Sequence, residues 1–287
     1  MKVTKVLSVV VMLAASLQGA AQIPSEVESF PISSVRLTAS PFKHAEDMDI
    51  QYLLGINPDR LLAPYLKEAG LQPKADNYTN WENTGLDGHI GGHYVSALSY
   101  MYAATGNQEI KRRLDYMISE LQRCQDADGY LSGVVNGRKV WKEIKEGNIR
   151  ASGFGLNDGW VPLYNIHKIF AGLRDAYLIG GKVEAKDMLV KLTDWMIGVV
   201  DNLSDEQMQD MLRSEHGGLN ETFADVVHVD GPVLFHPVGH AVLYPTSLTQ
   251  FDPLNVPDEQ VYFFVAPVIH VESFLLYPLG QVFVAFL

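Results

Sequence analysis

The sequence predicts an all-α protein, a partial (α/α)6 toroid of helical hairpins that ends in an irregular or β-prone C-terminal tail. Three observations carry this reading. Helices that are apolar nearly all round alternate with amphipathic ones; each apolar helix has a histidine near its start; and residue usage changes after about Asp225. A helix that is apolar on every side is buried on most sides, whereas a single apolar stripe leaves an outer face for solvent. Repeated pairs of the two kinds suit an inner and an outer layer wound about an axis. A plain helical bundle, with its histidines as caps or core groups, fits the same pattern and stays open at this point.

The first 21 residues read as a signal peptide. Lys2 and Lys5 form a short positive region, residues 6–17 are apolar, and Gly19, Ala20 and Ala21 precede a cleavage point near Gln22. The expected location is periplasmic or extracellular, with no membrane association once the signal is removed. The apolar run is too short to span a bilayer comfortably. Residues 22–44 are expected to be extended, broken by Pro24, Pro31 and Pro41.

The helical domain is expected over residues 45–225. Periodicity predicts helices over 45–54 and 59–69, the second closed by Gly70, and then a polar, glycine-rich loop over 77–92. Residues 93–104 are apolar throughout. Residues 108–125 instead place Ile110, Leu114, Met117, Ile118 and Leu121 on one stripe. The pair recurs as 165–179 and 184–200, where Met188, Leu189, Leu192, Trp195 and Met196 mark the buried side. A helix over 203–212 follows, and 219–226 opens a third apolar helix. His93 and His167 each stand four residues before an alanine, and His216 opens the third helix. In a toroid these three histidines gather at one mouth. The intervening 126–159 is expected to be a long functional loop.

Residues 226–287 differ. They hold no Lys or Arg, although the preceding chain holds all 22, and they hold half of the 14 prolines. Residues 261–265 and 282–287 are strand-like. The tail reads as foreign to the parent fold, as a shifted reading frame would make it; a genuine small β-rich domain is the alternative.

Composition narrows the chemistry. A formal net charge of −12 argues against nucleic acid or an anionic membrane as partner. Cys124, the single cysteine, ends an amphipathic helix and is expected to be a buried small residue. Neither a disulfide nor a Cys-ligated zinc site can be built from this chain alone. No P-loop, G-x-S-x-G or dinucleotide fingerprint is present. Asp126-Ala127-Asp128-Gly129 resembles the opening of a calcium loop, but the closing acidic position falls on Gly137, so a turn is expected.

Three clusters combine indoles, imidazoles and carboxylates, the side chains that stack on sugar rings and bond hydroxyls. The first holds Trp81, Glu82, Asp87, His89 and His93. The second holds Trp160, Asn165 and His167. The third holds Glu215, His216 and Glu221. All eleven are expected substrate-binding residues. His89 and His93 have the spacing of a helical zinc pair, but Gly91 and Gly92 weaken a helix there and the Glu of H-E-x-x-H is absent, so no metal ligand is assigned.

These segments resemble glycoside hydrolase families 127 and 146, the β-L-arabinofuranosidases. The resemblance rests on Asn80-Trp81-Glu82, Gly85-Leu86-Asp87-Gly88-His89, Gly92-His93-Tyr94-Val95-Ser96-Ala97-Leu98, Trp160-Val161-Pro162-Leu163-Tyr164-Asn165-Ile166-His167-Lys168 and Glu215-His216-Gly217-Gly218-Leu219-Asn220-Glu221. It runs from about Val35 to Asp225. It implies an (α/α)6 barrel followed by β-sandwich domains in full-length relatives. It also implies a retaining mechanism with a zinc-bound cysteine thiolate as nucleophile and a glutamate as acid/base. Those catalytic groups belong to the later barrel, and none is matched here. The chain is therefore expected to carry no cofactor, with zinc implied only for the full-length enzyme. It is expected to be a truncated or frame-shifted glycoside hydrolase for plant-derived arabinosides, inactive in this form. The rival readings are a non-catalytic sugar-binding or scaffold protein and another (α/α)6 enzyme, such as an unsaturated-uronide hydrolase or a sugar epimerase.

Overall fold

Capping residues decide where the helices begin. In the computed structural model, which describes residues 30–215 and 218–230, helix α1 spans Pro41–Gly55. Ser40 caps it by accepting from the Lys43 N–H. The helix starts earlier than the periodicity suggested because Pro41 is not a breaker there. At the first helical position its missing N–H would have no partner anyway, and its fixed φ suits the helix. Helix α2, Pro58–Glu68, repeats the device, with Asn57 accepting from the Asp59 N–H. Its residues from Leu61 to Leu66 are all buried.

Helix α3 spans His89–Thr105, so Gly91 and Gly92 lie in its first turn rather than in the expected loop. Helix α4, Gln108–Cys124, is capped by Asn107 and buries the predicted stripe. Helix α6, Pro162–Leu178, and helix α7, Val183–Val200, form the second hairpin. Between the hairpins lies helix α5, Gly137–Lys145, which buries Val140, Trp141 and Ile144. Three two-residue antiparallel strands follow: β1 Ala151–Ser152, β2 Gly155–Leu156 and β3 Gly159–Trp160. The expected long loop is thus partly ordered as helix and sheet. Trp141 packs edge-on against Trp195 of α7, with ring centroids 5.7 Å apart. Helix α8, Asp205–Leu212, opens with a Ser204–Gln207 capping box. Helix α9, Leu219–Asp230, runs straight through Asp225.

Three of these helices form an inner layer. Asn165 bonds the carbonyl of Asp87, Gly172 abuts Gly92 and Val95, and Gly180 meets Ser99. Sequence numbers rise together along this seam, so α3 and α6 run parallel. The same holds between α6 and α9, where His167 lies against Gly218, Phe170 against Phe223 and Arg174 against Asp225. Parallel neighbours joined through returning outer helices α4 and α7 are the arrangement of an α/α toroid, and the fold is a partial one. The core fills the space between the layers, with Leu98, Leu114, Leu121, Ile169, Leu173, Leu189 and Leu192 all buried.

No helix among the described residues is long and apolar enough to cross a membrane. The expected signal peptide and nearly all of the expected tail lie outside the described residues, as does His216.

Candidate functional site

Because the inner helices run parallel, their N-termini meet at one end. Each terminus leaves backbone N–H groups without intrahelical partners. At α3 the Glu82 carboxylate supplies the acceptors. Its Oε2 accepts from the Gly88 N–H at 3.0 Å and its Oε1 from the Ile90 N–H at 2.9 Å. The same Oε1 lies 2.7 Å from His89 Nδ1, which also faces the Leu86 carbonyl at 2.8 Å. Glu82 and His89 are both buried, so the pair forms a fixed floor.

Behind that floor is a hydrogen-bond network. Asn77 donates to the Glu82 carbonyl at 2.7 Å and to Asp87 Oδ1 at 2.8 Å, while Asp87 Oδ2 accepts from the Gly85 N–H at 2.9 Å. Asn165 reaches the Asp87 carbonyl at 2.7 Å. Asp87 and Asn165 are buried and hold the first cluster against α6. Burial raises the Asp87 carboxyl above its ordinary pKa, with its N–H contacts opposing.

The N-terminus of α6 is capped by the third cluster. Glu215 accepts from the Tyr164 N–H. Burial lifts the Glu215 carboxyl from 4.5 to about 7, against the pull of these N–H groups and of Lys168. The Lys168 ammonium lies 4.3 Å above the Tyr164 ring and 3.3 Å from His167 Nδ1. Its own pKa is lowered by burial. His167 is pushed down to about 3 by burial and then by Lys168. His93 keeps one face open to solvent, yet its surroundings strip enough water from the ring to lower it to about 4, with Lys168 and His89 adding to the shift. Both rings are therefore neutral at pH 7.

The aromatic rings form a continuous patch. His89 lies 6.4 Å from Trp81, 6.3 Å from His93 and 6.0 Å from Tyr164, centroid to centroid. Trp81 is 64% exposed and Trp160 is 40% exposed, so both indoles present faces to solvent. A cavity of about 820 Å³ opens beside this patch, lined by Trp81, Glu82, His89, Ile90, Tyr52 and Tyr78 among others. Trp160 is not on its wall; it packs over Gly85, where a Cβ would lie 3.6 Å from the indole.

The structure thus brings together Trp81, Glu82, His89, His93 and His167, with Glu215 beneath α6 and Asp87 and Asn165 as supports. Glu221 stands apart, paired at 3.0 Å with Arg174 further along the α6–α9 seam. Sequence reasoning missed Tyr164, Lys168, Tyr52 and Tyr78 as members of this end. Tyr164 and Lys168 could have been found, since they flank His167 on one face of its helix. Tyr52 and Tyr78 come from the end of α1 and from a loop, and no local spacing points to them.

Residues 34–238 match the family model described as β-L-arabinofuranosidase, GH127 catalytic domain, reaching past Asp225 where the sequence resemblance was read to end. A crystal structure of a GH127 β-L-arabinofuranosidase from Geobacillus stearothermophilus T6 aligns at TM-score 0.49 and 16% identity, over 74% of this chain and 31% of that one. The chain therefore spans less than a third of that relative's length. No curated protein sequence matches.

The zinc-bound thiolate implied by the resemblance does not fit the described residues. They contain no group of three or more His, Cys, Asp or Glu side chains placed to hold a metal. Cys124 is buried at the end of outer helix α4, and burial pushes its thiol up to about 12, far from a thiolate ligand at neutral pH.

Proposed function

The chain belongs to the GH127 β-L-arabinofuranosidase family, and we propose that its helix-start end binds the L-arabinofuranosyl terminus of plant-derived arabinosides without hydrolysing them. One observation carries the reading: His89 and His93 lie beside the exposed Trp81 indole, and His167 stands near the start of the neighbouring parallel helix α6. His93 and His167, whose pKa values burial lowers, and the indole faces suit a neutral polyol. They bond hydroxyls and cover the apolar face of the ring, and neither repels nor over-solvates the ligand.

The non-hydrolytic part of the reading rests on Cys124, whose burial and raised pKa unfit it as a nucleophile. This favours a sugar-binding role over catalysis. An (α/α)6 enzyme that needs no cysteine, such as an unsaturated-uronide hydrolase or a sugar epimerase, is the competing reading. The acidic chain has no use for nucleic acid, and its proposed export rests on the N-terminal charge and hydropathy pattern.

The test pairs calorimetry on methyl β-L-arabinofuranoside with turnover of an aryl arabinofuranoside, with and without added zinc. Saturable binding and no aryl release are expected. Zinc-dependent release would overturn the inactive reading, absence of binding would overturn the sugar reading, and turnover of uronides or epimerisation in a substrate panel would install the competing one.

A further inference from the structure

Two imidazoles at the mouth are held through the same atom, Nδ1, by partners of opposite kind. His89 Nδ1 faces Glu82 Oε1 at 2.7 Å and the Leu86 carbonyl at 2.8 Å. A carbonyl only accepts, and so does an ionised carboxylate, so His89 carries a proton on Nδ1. His167 Nδ1 faces the Lys168 ammonium at 3.3 Å. An ammonium only donates, so this Nδ1 must be bare and the ring proton must sit on Nε2.

We infer that Lys168 is a positioning residue that fixes His167 as the Nε2–H tautomer, making it a hydrogen-bond donor to ligand. Three features hold this arrangement. The ammonium is seated over the Tyr164 ring, where the face of the ring attracts a cation. The His167 ring is clamped against Gly218, where any Cβ would overlap it. None of the described residues accepts from His167 Nε2, which leaves that N–H for a ligand oxygen. The inference rests on the sugar-binding reading only for the identity of that ligand.

The experiment is ¹⁵N–¹H correlation NMR of the histidine rings in the full chain, with His167 assigned through His167→Gln. Protonated Nε2 and bare Nδ1 are expected at pH 7. In Lys168→Met the signals should move toward a mixture of tautomers, whereas Lys168→Arg, which keeps a donor, should hold the wild-type pattern. Affinity for methyl β-L-arabinofuranoside should fall about tenfold in Lys168→Met, the scale of one lost hydrogen bond. A proton on Nδ1 in the wild-type protein would overturn the inference, as would a tautomer indifferent to Lys168→Met. The expected tautomers with no sugar binding would sink the ligand reading alone, because the ring state is measured without ligand.

Discussion

The two seams of the inner layer are joined by different physics. Between α3 and α6 the contact is glycine against backbone. A Cβ at Gly92 would overlap the Lys168 carbonyl, and one at Gly172 would come within 2.8 Å of the Gly92 carbonyl. Between α6 and α9 the contact is ionic and aromatic. Arg174 bonds Asp175 at 3.0 Å, Glu221 at 3.0 Å and Asp225 at 2.8 Å, while Phe170 meets Phe223 at 5.3 Å. The first seam depends on shape, which has little tolerance. The second depends on charge and apolar area, which can readjust. The tight seam lies directly beneath His93 and His167, so the strictest packing holds these two histidines in register.

Substitutions should separate the seams. Gly92→Ala should be the most damaging change, costing roughly 3 kcal/mol, because backbone rather than a flexible side-chain end must yield. Urea unfolding would show it, and a loss below about 0.5 kcal/mol would mean that the helices are not so close. Arg174→Met should cost less, about 2 kcal/mol, by leaving buried Asp175 without its cation. The wild-type α6–α9 seam should also weaken with added salt, since Glu221 and Asp225 are partly exposed. Salt-independent stability that Arg174→Met leaves unchanged would remove the ionic seam from the account.

The acid response sharpens the comparison at the mouth. His167 and His93 titrate at about 3 and about 4 in the folded chain, against 6.5 when unperturbed. Below 6.5 the unfolded state therefore binds more protons, and stability falls as the pH drops toward those values. Glu215 works the other way. Its pKa of about 7 exceeds 4.5, so its contribution falls as pH rises between the two. Burial also raises the carboxyls of Glu68, Asp87 and Asp175, so the histidine share is read from a variant rather than from the net trend. Between pH 6.5 and 4.5 the melting temperature of His167→Gln should fall less on acidification than that of the wild type. Equal slopes in the two proteins would refute the His167 assignment. The smallest stability effect should come from Trp81→Ala. This indole is 64% exposed, so folding should change by under about 0.5 kcal/mol. Sugar affinity should nevertheless fall roughly fivefold, about 1 kcal/mol of aromatic contact. Equal affinities with and without Trp81 would take it out of the site.

Much of the architecture was legible because it is periodic. The stripe of α4 and the all-apolar body of α3 follow directly from residue spacing, and a parallel inner layer explains why His93 and His167 share an end. The misread boundaries are places where tertiary contact overrides local preference. Gly91 and Gly92 discourage a helix in isolation, yet Glu82 caps that turn, α2 leaves no room for a side chain at Gly91 and α6 leaves none at Gly92. Helix α5 was hidden in a turn-rich stretch because its burial depends on Trp195 from a distant helix. The site was legible as residue types but not as roles. Nothing local distinguishes Asp87, which accepts from Asn77 and Gly85, from Glu82, which orients His89. The donor or acceptor state of each imidazole depends on a partner that spacing alone does not reveal.

The most direct test of the account is to titrate the full chain with methyl β-L-arabinofuranoside while following the ring signals of its histidines by NMR. The signals of His89, His93 and His167 should shift together along one saturable curve, while His44, at the outer helix α1, stays still. Saturable binding that leaves those three rings unmoved, or no binding at millimolar sugar, would contradict the claim that the converging helix starts form a sugar site.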